Sequence, residues 1–220
     1  MPRNTPFGSL DGAPALTVFA ITQIENLAKA IDESEMNNVP LPEYIGEGIA
    51  LLSSQLQEFR PDDNIPLFLS PEIDKQEIIN NNLEVAWYLS TCIYYHNRIN
   101  NTFIVDVTFA VNGVLMCLLR AEEIKAQLEP NLESRDDPVT FPAFVACCNA
   151  VDRQHWASWW QAMQEYDSPK LKAQWKAIRI IWYVMDVTQE VGEVDLSWVD
   201  IMQGRDASLL STMFEELGFC

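Results

Sequence analysis

The stretch Ser168-Pro169-Lys170-Leu171-Lys172-Ala173-Gln174-Trp175-Lys176-Ala177-Ile178-Arg179-Ile180-Ile181-Trp182-Tyr183-Val184-Met185 carries the cleanest periodicity in the chain. Ser168 offers a side-chain oxygen to the free amides of a first helical turn. Pro169 brings a preset φ and lacks only an N–H that such a turn leaves unused, so the pair reads as a helix start. Leu171, Trp175, Ile178, Trp182 and Met185 then recur every three or four residues, which lines them up on one helical face. Gly192 comes next as a stop.

The same reading extends outward. Residues 141–150 are apolar almost throughout and predict a short helix buried on every side; an aromatic helix over 152–166 comes at once after it. Upstream, Ser70-Pro71 repeats the start signal and opens a helix to about Asn97, with Ile79, Leu83, Ala86, Trp87, Ser90 and Tyr94 on one face. Ile104, Val107, Val111, Val114, Leu115 and Leu118 predict the next helix, over 104–128. Towards the N-terminus, Leu16, Ala20, Ile24, Leu27 and Ile31 mark one helix, closed by Asn37-Asn38-Val39-Pro40-Leu41-Pro42. Ile45, Ile49, Leu52 and Leu56 mark another near 43–59. Short helices at about 195–203 and 207–217 complete the series, with Gly204 and Gly218 as terminators.

The fold expected is all-α, an irregular bundle of about 8–10 helices with no sheet. No fixed-period repeat is present, so it is not a regular solenoid. Residues 1–13, rich in proline and glycine, read as a flexible tail, and 14–220 as one helical domain with sub-layers 14–128 and 139–220 on either side of the polar linker 129–140.

Composition agrees. The 220 residues are 48% hydrophobic, with seven tryptophans and only eight glycines, too apolar for a disordered chain and too poor in turns for a sandwich. The longest apolar run, 109–119, is broken by Asn112 and Gly113 and is too short to cross a bilayer. No apolar run succeeds the first residues, so no signal peptide is read and an intracellular chain is expected. Acidic residues number 32 against 14 basic, a net charge of −18, which opposes direct contact with nucleic-acid phosphates. That charge serves solubility or meets basic partners.

Little points to chemistry. Zinc needs several converging nitrogen or sulfur ligands, and only His96 and His155 are available. Cys92, Cys117, Cys147, Cys148 and Cys220 form no Cys-x-x-Cys pair and read as reduced, mostly buried thiols. Neither a phosphate-binding glycine loop nor a Gly-x-Ser-x-Gly nucleophile motif occurs. The acid pairs Asp62-Asp63 and Asp136-Asp137 lie in loops beside prolines. No cofactor is expected, and the chain is read as a non-enzyme.

Three features are candidate contact or pocket residues. Lys172, Lys176 and Arg179 repeat along one helix, opposite the tryptophan stripe, and read as a solvated face or as a strip for an acidic partner. Leu210, Met213, Phe214 and Leu217 share a face of the last segment, which is either core packing or a coactivator-docking motif. Trp156, Trp159, Trp160, Trp175 and Trp182 form either a core or the lining of a small-molecule pocket.

Phe141-Pro142-Ala143-Phe144-Val145-Ala146-Cys147-Cys148-Asn149-Ala150, with Arg153, Trp156, Trp159-Trp160, Gln174-Trp175, Ile181-Trp182, Asp186, Trp198 and Gly204 after it, resembles the fungal-specific transcription factor domain of the second type. This domain accompanies six-cysteine zinc clusters, and the tryptophan order is similar to that of the arginine-metabolism regulator II family. The tyrosine-rich helix 86–95 adds to the likeness, which covers about 75–204. Asn149 departs from the family's usual glutamate, and Cys147 from glycine or alanine. The zinc cluster and its basic linker are missing from these 220 residues, so a fragment, a truncated product or a paralogue without DNA binding is expected. The resemblance implies a nuclear regulatory domain working through a small effector, a co-regulator or a homodimer. The alternatives are an all-helical enzyme with an apolar tryptophan-lined pocket, and a purely structural helical adaptor.

Overall fold

The structure, a computed structural model, describes residues 10, 12–100, 106–191 and 197–202. Among them are eight α-helices and no strand, as expected: α1 (Ala15–Met36), α2 (Glu43–Glu58), α3 (Lys75–Tyr95), α4 (Thr108–Leu128), α5 (Thr140–Cys148), α6 (Gln154–Met163), α7 (Pro169–Val191) and α8 (Trp198–Met202). None is long and apolar enough to cross a membrane.

Helices α3 and α4 form the central antiparallel pair. Lys75 at the start of α3 donates to Gln127 Oε1 near the end of α4 at 3.3 Å. Midway, a Cβ on Gly113 would lie 2.8 Å from Leu89 Cδ1, so the two helices approach closely where a side chain is missing. Helix α1 packs against α2 and α3. Its buried face is Thr17, Ala20, Ile21, Ile24 and Ala28, rotated from the expected one: Leu16 is exposed and Ile31 half-buried.

Helix α5 lies between the α3–α4 pair and α7, and all eight residues Phe141–Cys148 are buried. Neighbours on both sides explain why this segment has no polar face. Phe141 stacks on Trp87 with centroids 5.4 Å apart, so residues beyond the polar linker enter the same core as α3. That core runs from Ala20 in α1 to Ile201 in α8.

Two starts differ from the sequence reading. Helix α3 begins after Asp74, not at Ser70-Pro71. Ser70 instead closes a turn, with its carbonyl accepting from Ile73 N–H at 3.3 Å. Proline in second position suits a β-turn as well as a first helical turn, and the turn wins here. Helix α4 begins at Thr108, and the expected inward residue Ile104 lies outside the described residues. At its other end α3 widens into a π-helical turn, His96–Asn100.

The linker 129–139 is held by its backbone. The buried Lys125 ammonium donates to Glu122 Oε1 at 2.8 Å and to the carbonyls of Asp137 at 3.3 Å and Asp136 at 3.5 Å. Tyr166 OH donates to the other Glu122 oxygen at 2.7 Å. Each buried charge thus has hydrogen-bonded partners, without which its desolvation would be prohibitive.

Candidate functional site

A cavity of about 640 Å³ opens where four elements meet. The π turn contributes His96 and Asn97, and the bend between α5 and α6 contributes Cys148, Asn149, Ala150 and Val151. Arg153 stands at the start of α6, while α7 supplies Met185, Asp186 and Gln189. Ser197 and Trp198 at the start of α8, with Val107, complete the described wall.

The polar side chains of the floor and rim are held by their neighbours. Asn149 ends α5 by folding back, and its Nδ2 donates to Val145 O at 2.8 Å. Across the cavity floor it exchanges two bonds with Asn97, each 2.9 Å, in a closed amide pair. Trp198 Nε1 donates to Asn97 Oδ1 at 3.0 Å. The tryptophan is set by a reciprocal cap: Asp200 N–H donates to Ser197 Oγ at 3.2 Å, and Ser197 N–H to Asp200 Oδ2 at 3.1 Å. At the rim, Arg153 Nη1 donates to both oxygens of Asp186 at 2.7 and 2.8 Å, its guanidinium 5.2 Å from the Trp182 ring centre.

The electrostatics of the wall favour neutral groups. Burial holds the His96 imidazole below its ordinary pKa and pushes the Cys148 thiol far up, so the fold favours neutral imidazole and thiol. The wall is therefore a hydrogen-bonding surface with one compensated ion pair. Among the described residues no group of three or more His, Cys, Asp or Glu side chains is placed to hold a metal ion.

The aromatic candidates lie beside this cavity, not in its wall. Trp156, Trp159, Trp160 and Trp182 are buried and Trp175 half-buried. They form a succession of ring contacts, with ring centres 6.2, 5.0, 6.3 and 5.7 Å apart from Trp156 through Trp159, Trp160 and Trp175 to Trp182. Trp182 Nε1 donates to Cys147 O at 3.1 Å and clamps α7 on α5.

Lys172, Lys176 and Arg179 are all exposed on α7. Lys172 pairs with Asp167. Arg179 lies over Trp175, 5.5 Å from the ring centre, so it flanks the tryptophan stripe and does not oppose it. The four C-terminal candidates Leu210, Met213, Phe214 and Leu217 lie outside the described residues. His155 sits 3.2 Å from Asp152 on the exposed start of α6. Asp62, Asp63, Asp136 and Asp137 are exposed, and Asp63 pairs with Arg60.

Sequence reasoning missed Asn97 and Asn149 as a pair, since 52 residues separate them. It missed a buried cluster as well: Arg98 in the π turn donates to Glu25 at 3.0 Å and Asp32 at 3.4 Å on α1. The Ser197-x-x-Asp200 cap was readable as a motif.

With this geometry in place, comparison with known families is decisive on one point. The model of the Fungal specific transcription factor domain matches residues 5–212. The chain belongs to that family. The match reaches well before residue 75, so α1 and α2 are part of the family's domain. No curated protein and no solved structure gives a significant match. Membership gives the chain a regulatory setting, and the Arg153–Asp186 bridge and the Trp198 position now fall on residues that carried the likeness.

Proposed function

We propose that this member of the fungal-specific transcription factor domain family acts by binding, not catalysis, and that its working site is the cavity between the π turn, the α5–α6 bend, α7 and α8. The observation that carries this reading is a cavity of about 640 Å³, within the range of roughly 300–1,000 Å³ typical of small-molecule sites, in a regulatory family. Its polar groups are arranged to hold a ligand: a locked amide pair, an arginine that among the described residues bonds through Nη1 alone, and a flat indole. Regulation then takes place in the nucleus, with DNA read by another segment or protein, since a net charge of −18 opposes approach to phosphates.

The test is a fusion of residues 1–220 to a heterologous DNA-binding domain driving a reporter. Output should differ from that of the DNA-binding domain alone, and Val151→Trp, at the exposed cavity rim, should shift it without changing protein level. Output indifferent to the fused chain defeats the regulatory reading.

A second reading, contact with a second copy of the chain, is favoured by the outer face of α4. Phe109, Met116 and Leu119 share that face and are 86%, 48% and 45% exposed. Light scattering across a concentration series should show a dimer that Phe109→Asp abolishes; a monomer throughout removes this reading.

A further inference from the structure

We infer that the cavity takes a planar, uncharged ligand carrying a carboxamide or lactam group, read by the free edge of the Asn97–Asn149 pair. The inference rests on the cavity being the binding site of the proposed function, and adds the chemistry it selects.

The orientation of both amides is fixed by their neighbours. An indole N–H only donates, so the Asn97 atom facing Trp198 is its oxygen. A backbone carbonyl only accepts, so the Asn149 atom facing Val145 is its nitrogen. Each carboxamide has two N–H donors and two lone pairs. Both Asn149 donors are used, on Asn97 Oδ1 and Val145 O. Both Asn97 lone pairs are used as well, by Asn149 Nδ2 and Trp198 Nε1. One edge of the pair is thereby closed.

The opposite edge is not. The second N–H of Asn97 and the second lone pair of Asn149 Oδ1 remain there without a partner among the described residues, both on side chains that line the cavity. Because the two amides form a closed ring of hydrogen bonds, this donor and acceptor sit side by side in one plane. Their complement is an acceptor beside a donor in one plane: the C(=O)–N–H of a primary amide or lactam, or the edge of a nucleobase.

Other chemistries fit less well. A carboxylate has no donor for Asn149, and it would meet Asp186 in a chain of net charge −18. A ketone leaves the same acceptor unanswered, and an ammonium leaves the donor unanswered. Trp198, Met185 and Val107 supply apolar walls for the body of a flat molecule. The edge is also preorganised, since the Ser197–Asp200 cap holds Trp198 and the α5 terminus holds Asn149.

The experiment uses the 15N-labelled full chain titrated to about 10 mM with three probes of one shape, benzamide, acetophenone and benzoate, a range suited to fragment affinities. The side-chain amide resonances of Asn97 and Asn149 are followed. Benzamide should shift both saturably, with at least about tenfold tighter binding than either other probe, as expected when a buried polar group is left unanswered. Asn149→Ala should lower benzamide affinity by a similar factor. Should that variant fail to fold, Val151→Trp blocks the cavity from an exposed position and should abolish the shifts while the amide pair persists. Equal binding of the three probes, preference for benzoate, or no benzamide shift at Asn97 and Asn149 overturns the inference. A reporter response without amide preference sinks the ligand class alone, whereas amide binding without any reporter response sinks only the regulatory reading.

Discussion

In the layer formed by α6 and α7, Trp159 is 2% exposed and its indole N–H has no hydrogen-bond partner among the described residues. At the cavity floor Trp198 is equally buried, at 2%, yet its indole N–H is committed to Asn97. The first ring fills volume between Trp156 and Trp160 with edge-to-face contacts. The second packs against Tyr94 and Phe144 and at the same time orients a polar pair. One region is closed and apolar, while the other is polar, partly open and built from groups on four separate elements. Burial alone therefore does not separate these two rings; what separates them is that the Trp198 indole N–H orients an amide of the cavity wall, whereas that of Trp159 meets no partner among the described residues.

Four measurements break or sharpen this contrast. Trp159→Ala should lower unfolding free energy by about 3–5 kcal/mol, as for other buried tryptophans, and urea midpoints would register it. A loss under about 1 kcal/mol would mean that the layer is not tightly packed. Phenylalanine at each position isolates the indole N–H, since the change in volume is the same. Trp198→Phe should cost about 1–2 kcal/mol more than Trp159→Phe, because only the former removes a hydrogen bond and leaves Asn97 Oδ1 with one donor fewer. Equal losses would contradict the assigned roles. Arg153→Ala, at a half-exposed bridge on the rim, should cost about 1 kcal/mol or less in the same assay.

The smallest effect expected is a pH dependence. Burial lowers the His96 pKa in the fold, so neutral imidazole is favoured there. Its contribution is present above the unfolded value of about 6.5 and is lost as pH falls through that value towards the folded one. The thermal midpoint should fall between about pH 7 and 5, and His96→Gln should flatten that slope. An unchanged slope in the variant assigns the dependence to other groups.

Much of the scaffold was legible because it obeys local periodicity. Leu171, Ile178 and Trp182 on α7, the apolar run Phe141–Cys148 of α5, and Trp87 with Tyr94 on α3 lie inside where their spacing puts them. Local signals failed where two structures share one signature. Ser70-Pro71 makes a turn and Ser168-Pro169 opens a helix, and only the residues downstream of each pair tell them apart. On α1, competition among several apolar residues rotated the buried face by about one position, leaving Leu16 outside. Glu122 and Lys125 carry no local signal for burial; it depends on Tyr166 and the linker carbonyls reaching them from elsewhere.

By itself the sequence determined the all-helical class, the long helices, the apolar middle segment and the family, since each arises from residues a few positions apart or from a pattern along the chain. Only the tertiary structure decided the site. Asn97 meets Asn149 across 52 residues and Trp198 across 101, and neither amide has a pattern of its own that announces a partner. Hydrogen bonds of this kind depend on atoms brought within about 3 Å by the packing of separate helices, a distance that spacing along one helix cannot encode.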